Sequence, residues 1–185
     1  MRRNVKTAAT GCRGAKGFAL IDLLFVCFMI MVLSLIALPG LLAAKTAASA
    51  ASAIGSMRTI GSGQLTYALT CGGGFYAPNL VTLGTAPPGS TAPFIGGGLG
   101  SANSVIKSGY RVQMVGLAFP GAPPTCNGLG VGVTAQGYKA TADPMAPNVS
   151  RFFATNANGV IYENTASLFG VMPEVGEPPV GKPIQ

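Results

Sequence analysis

The sequence predicts an α+β fold in which a long N-terminal hydrophobic helix packs on a small antiparallel β-sheet head. Three observations predict it. An apolar run opens at Phe18 and an alanine-rich helical pattern carries it on to about Leu69; a Gly/Pro-rich stretch follows; short alternating runs then recur as far as Glu163. A long helix, a loop and then sequential strands is the order of segregated α and β layers.

The helix comes first. Between Phe18 and Ala44 the only charged residue is Asp22, and Ser34, Pro39 and Gly40 are the other interruptions. At the helical rise this stretch reaches roughly 40 Å, enough to cross a hydrocarbon layer of about 30 Å. Pro39 with Gly40 should kink or locally open it, because proline removes a backbone donor and clashes with the preceding turn. Beyond Leu41, Ala50, Ile54, Met57, Gly61, Leu65 and Ala68 recur at three- and four-residue steps. That spacing is one apolar stripe, suited to lying under a sheet. Gly55, Gly61 and Gly63 are either weak points in the helix or places of close approach.

Cys71-Gly72-Gly73-Gly74 should end the helix, and Tyr76 to Gly100 should be a long loop holding a short helix or turn. Strands are expected within Tyr110–Phe119, Val131–Ala142, Arg151–Thr155 and Val160–Glu163. Tyr110 to Val115 alternates in the way a sheet with one buried face requires. Asn158-Gly159 marks a hairpin turn, since both residues tolerate positive φ. After Gly170 four prolines predict an irregular tail.

Charge divides the chain unevenly. The net charge is +7, but Arg2, Arg3, Lys6, Arg13 and Lys16 all precede Phe18, and the remainder carries seven basic residues against five acids. Without the first segment a nucleic-acid partner is not expected, because phosphate binding needs a clustered basic surface. The chain has no His, which removes the usual general base and the commonest metal ligand. Asp143 and Glu163 could face each other across the sheet, but two solvated surface charges is the simpler arrangement. No catalytic residue, metal site or cofactor is expected, and the acids do not cluster as a calcium loop would need. Gly11 to Gly17 lacks the glycine before lysine and the preceding strand that a phosphate loop requires.

Basic residues, then Gly17, then Phe18, an acid at the fifth place from Phe18 and a proline at the twenty-second fall in one register. This pattern resembles the prepilin-type N-terminal motif of the type IV pilin and pseudopilin family. The resemblance covers about thirty residues. It implies a leader over 1–17, cut after Gly17 by a prepilin peptidase that then N-methylates Phe18. It implies a transmembrane and assembly helix over 18–44, and a head over 45–185 that includes the second half of the helix. The family's usual acid at the fifth place is Glu; Asp22 is one methylene shorter. By resemblance Asp22 serves assembly, meeting the Phe18 amine of a neighbouring copy, although local pairing within one chain remains open.

The implied function is a structural subunit of a type IV pilus or related filament, with a type II secretion pseudopilin, or an anchored or secreted non-assembling binding module, as alternatives. Implied partners are the prepilin peptidase, other copies of the chain or related pilins, and an inner-membrane assembly platform. The basic segment fits the positive-inside bias, with Met1 to Lys16 in the cytoplasm and the head across the membrane. Before assembly the chain is then a single-pass inner-membrane protein, and afterwards part of a surface pilus or periplasmic pseudopilus. A conventional secretory signal is the competing reading, with Ala48-Ser49-Ala50 as its cleavage site, though Leu23–Leu38 is long for a signal core. That orientation puts Cys71 and Cys126 in an oxidising compartment. Cys12 would leave with the leader and Cys27 would lie in the apolar helix, so Cys71 and Cys126 are the disulfide candidates, with two free thiols as the alternative.

Overall fold

A computed structural model describes residues 20–96 and 98–184. The expected cleavage site at Gly17 and Phe18 lies outside the described residues. The first element is a 51-residue helix, α1 (Leu20–Thr70), and a short helix α2 (Leu80–Gly84) follows it. Six strands complete the chain: β1 (Ser104–Lys107), β2 (Tyr110–Val115), β3 (Lys139–Pro144), β4 (Phe152–Asn156), β5 (Ile161–Asn164) and β6 (Lys182–Ile184). The chain divides into two units, Met1–Ala43 and Ala44–Gln185.

In the second unit the strands form one sheet in sequence order, every neighbour antiparallel. This is the expected α+β meander, with two strands more than the sequence pattern indicates. One face of the sheet presents Tyr110, Val112, Met114, Ala140, Ala142, Phe153 and Ile161, all buried. They share a core with Ala50, Ala53, Met57 and Ile60 of α1. The opposite face is covered in part by the chain after β5, where Leu168 and Met172 bury Ala154 and Tyr162. Lys139 and Asn156 hold that cover in place, Lys139 Nζ donating to the Phe169 carbonyl at 3.0 Å and Asn156 Nδ2 to the Gly176 carbonyl at 2.6 Å.

The apolar stripe of α1 departs from the sequence expectation at its far end. Ala50, Met57 and Ala68 are buried as expected, but Leu65 is 56% exposed and its neighbour Gln64 is fully buried. The reason is a clamp. Gln64 Nε2 donates to the Ala77 carbonyl at 2.8 Å, and Gln64 Oε1 accepts from the Ala77 N–H at 2.8 Å. One side-chain amide thus satisfies both backbone groups of a buried loop residue, which pattern reading by hydrophobicity does not register. Gly63, one residue earlier, is a close approach: a Cβ there would run into the Ile95 side chain and lie 3.0 Å from the Phe94 carbonyl.

The helix ends where expected, with Cys71 and Gly72 both donating to the Tyr67 carbonyl and Gly74 donating to that of Ala68. The loop that follows contains α2, capped by Asn79, whose Oδ1 accepts from Thr82 N–H at 3.0 Å. Cys71 and Cys126 are disulfide-bonded, with Cα atoms 4.9 Å apart, which ties the helix exit to the loop before β3.

Three strand expectations need correction. Of the expected strand Val131–Ala142, Val131–Tyr138 is not in a named strand and makes only isolated bridges, Ala135 with Tyr76 and with Ala118. Its backbone bonds go to loops instead: Gly132 donates to the Ala122 carbonyl, the Thr134 carbonyl accepts from Phe119, and Ala135 donates to that of Tyr76. β6 forms inside the expected irregular tail, and β1 precedes the first expected strand. Both are short and largely exposed on both faces, so neither carries the alternation that one buried face writes into a sequence. The tightest turn is Ser108-Gly109, with φ of 50° and 80°, joining β1 to β2. At Asn158-Gly159 only Gly159 has positive φ, and Asn158 Oδ1 instead accepts from Gly176 N–H at 3.0 Å.

Two stability outcomes follow from these ties. Gln64→Leu should lower head stability by about 2–4 kcal/mol, because it leaves two buried backbone groups of Ala77 without partners. Replacing Cys71 and Cys126 together with Ser should cost roughly 4 kcal/mol by the chain-entropy account for a closed loop of this length. Denaturant titration of each variant beside the parent checks both, and an unchanged midpoint for either contradicts the role given to it.

Candidate functional site

The first unit carries the feature that demands an explanation. Among the described residues from Leu20 to Leu42, sixteen large apolar side chains are exposed, with Leu20 81% and Leu35 68% accessible. Burying a Leu, Ile or Phe side chain is worth about 1.5–3 kcal/mol, so leaving sixteen in water forgoes more than 20 kcal/mol. That free energy is available to whatever covers the row, and a contiguous apolar surface of this size marks a contact with other protein or with a membrane.

Its polar members are few. Ser34 donates its hydroxyl to the Ile30 carbonyl at 2.8 Å, one turn back, which removes it as a polar site on the apolar surface. Cys27 is an exposed free thiol. Asp22 lies in the first turn of α1, where the unpaired N–H groups of a helix start favour an anion by roughly 0.3–1 kcal/mol. That local interaction does not explain why the only carboxylate of the stretch sits within an otherwise apolar row.

Pro39 lies inside α1 and Gly40 follows it with open space where a Cβ would be. The missing proline N–H leaves the Leu35 carbonyl, four residues back, without its helical donor. No single helix among the described residues is long and apolar enough to cross a membrane. The segments Leu20–Leu35 and Leu38–Thr70 meet the length and composition requirement as a pair, broken at the turn before Pro39.

In the head, the structure separates the two acids that a catalytic reading would need together. Asp143 and Glu163 project from opposite faces of the sheet: Ala142, Phe153 and Glu163 are in register across β3, β4 and β5, and Asp143 is the residue after Ala142. Each has its own partner. Arg151 grips Glu163 with two bonds, Nε to Oε1 at 2.5 Å and Nη2 to Oε2 at 2.9 Å. This pair holds the Glu163 carboxyl below its ordinary range, against a smaller opposing effect of burial. Asp143 Oδ2 accepts from the Ser167 hydroxyl at 2.9 Å, while Oδ1 is buried without a partner. Burial pushes the Asp143 carboxyl up, opposed by the Ser167 bond and by the Arg111 charge beside it.

A cleft of about 400 Å³ opens between α1 and the β4–β5 turn, lined by Met57, Arg58, Tyr76, Tyr138 and Asn158 among others. The Tyr138 hydroxyl there is pushed up to about 12, chiefly by burial, so it stays a neutral phenol at physiological pH. Among the described residues no group of three or more Cys, Asp or Glu converges as metal ligands.

The two head acids should give opposite pH signatures. Glu163, with its pKa lowered on folding, contributes stability above its unfolded pKa that is lost as pH falls through the folded value. Glu163→Gln should therefore cost about 0.5 kcal/mol near neutral pH and nothing in acid, the small size reflecting a pair whose Arg151 side chain is 48% exposed. Asp143, with its pKa raised, costs the folded state at neutral pH and not in acid. Asp143→Asn keeps an acceptor for Ser167 and should gain about 0.5 kcal/mol at pH 7, a gain that vanishes below the unfolded pKa. Thermal melts of both variants from pH 3 to 8 check the pair, and parallel rather than crossing profiles contradict it.

Compared with models of protein families, with curated protein sequences and with solved structures, the chain matches none of them.

Proposed function

We propose that the chain is a structural subunit of a type IV pilus or related filament, made as a membrane-held precursor, cut after Gly17 by a prepilin peptidase and assembled through its N-terminal helix. The observation that carries this reading is the row of exposed apolar side chains from Leu20 to Leu42 with Asp22 as its single carboxylate. A lipid layer covers such a row in the precursor, and the same row on other copies covers it in a filament. In this reading the head is pilin-like, and the assembly platform of the inner membrane supplies the transfer between the two environments.

Cutting after Gly17 would start the mature chain at the Phe18 amine, a cation four residues from Asp22. In a low-dielectric filament core, Asp22 of one copy and the Phe18 amine of its neighbour form an ion pair. Uniform apolar surfaces set no axial register, whereas one ion pair per subunit does. A tether would need only the apolar row, so the acid favours assembly over an anchored binding module. A secretion pseudopilin shares the helix logic and differs in what the filament does.

Asp22→Ala should leave membrane insertion and cleavage nearly intact while reducing filaments strongly, since stranding one member of a buried pair costs about 3–5 kcal/mol. Asp22→Glu should assemble at least as well as the parent. The readout is the yield of sheared filaments against mature protein held in the membrane. A normal yield from Asp22→Ala would remove the reason for preferring an assembling subunit to a tether.

A further inference from the structure

The sheet register sorts the charges of the head. β1 ends at Lys107, β2 begins with Tyr110-Arg111, β4 follows Arg151 and β6 begins at Lys182, and the antiparallel order brings all of these to one end of the sheet. At the same end the Ser52 hydroxyl of α1 donates to the Ser108 hydroxyl at 2.9 Å, which fixes the β1–β2 turn beside the helix. Lys45 lies seven residues before Ser52, two turns back on the same helix face and about 10 Å along the axis. Lys45, Lys107, Arg111, Arg151 and Lys182 are all exposed.

The acids at this end are Asp143 and Glu163, and both are engaged, Glu163 by Arg151 and Asp143 by Ser167 with Arg111 beside it. Toward the far end of the sheet, Lys139 donates to the Phe169 carbonyl, Glu174 accepts from the Leu117 N–H at 2.7 Å, and Arg58 of α1 lines one cleft with Glu177. Apolar side chains accompany the cations. Ile106 is 63% exposed next to Lys107, and exposed Met145, whose N–H donates to the Gly109 carbonyl at 2.9 Å, sits across the same turn.

We propose that this end of the head, with Lys107, Ile106 and Met145 around the β1–β2 turn, Lys45 on α1 and Lys182 on the opposite, β6 edge of the sheet, is a docking surface for the anionic headgroups of a lipid bilayer. The proposal rests on the reading of Leu20–Leu42 as membrane-held, since Lys45 follows that row directly and so enters the headgroup layer with it. Cations near an anionic surface gain free energy that falls off within a Debye length, and apolar tips add burial at the interface. A neutral bilayer offers only the second contribution. The docked head would keep the precursor close to the membrane until assembly lifts it off.

The test reconstitutes the full chain into phosphatidylcholine vesicles and into vesicles that also contain phosphatidylglycerol, then acetylates lysines with a membrane-impermeant reagent and follows each site by mass spectrometry. Lys45, Lys107 and Lys182 should react at least about fivefold more slowly on the anionic vesicles, with Lys139 as the unaffected internal reference, and the difference should disappear at 1 M salt. Lys107→Glu, on an exposed turn, should return Lys45 and Lys182 toward their rates on neutral vesicles. Equal relative rates on both vesicles overturn the proposal while leaving the membrane-held reading intact. Loss of the chain from both vesicles on alkaline washing overturns both. Protection of the same lysines by a DNA duplex in detergent, with no dependence on lipid charge, would assign the surface to nucleic acid and overturn the lipid proposal.

Discussion

The structure depends on the covering of one helix. α1 is 51 residues long, and the chain supplies a cover for the part in its second unit only, where Ala50, Ala53, Met57, Ile60 and Tyr67 are buried in the head core. From Leu20 to Leu42 every described side chain is exposed. A contiguous apolar row of this size marks a contact with lipid or with other protein. Lipid and further copies of the same helix are the two covers that suit a row apolar on all sides, and the proposed life cycle uses them in turn.

The head solves a different problem, that of building a core with few charges, no tryptophan and 27 glycines. Its ties are individually placed. The Gln64 clamp fixes α1 to Ala77, the Cys71–Cys126 bridge fixes the helix exit to a loop, and the Ser52–Ser108 bond sets the β1–β2 turn against the helix. These join segments far apart in sequence, which is how a loop-rich chain limits the number of alternative packings. Arg151, just before β4, with Glu163 on β5 ties the end of this strand pair in the same way, at the surface and with a correspondingly small energy.

Much of this was readable from residue order. The helix and its end near Cys71, the meander, β2 with its alternation, and the pairing of Cys71 with Cys126 all have signals that are local or follow from compartment. What was not readable has physical causes. Gln64 occupies a core position because it bonds a backbone thirteen residues away, and Leu65 is exposed as a consequence. β1 and β6 are largely exposed on both faces and so carry no alternation. Ser108-Gly109 between Ile106-Lys107 and Tyr110-Arg111 is a two-residue turn signal that marks β1 in retrospect. The exposed row and Asp22 were evident as sequence, and the structure adds where they stand: on a helix, with the acid in its first turn.

An assembling subunit requires that the row be delivered to a membrane and that the leader before it be removed, and the N-terminus of the mature protein reports that most directly. Mass-spectrometric sequencing of the chain recovered from membranes of cells that express a prepilin peptidase should find Phe18, N-methylated, as the first residue. A start near Ala51 would mean that the apolar row is discarded as a secretory signal, and an intact Met1–Gly17 segment would mean that it serves only as an anchor. Either result would contradict an assembling subunit.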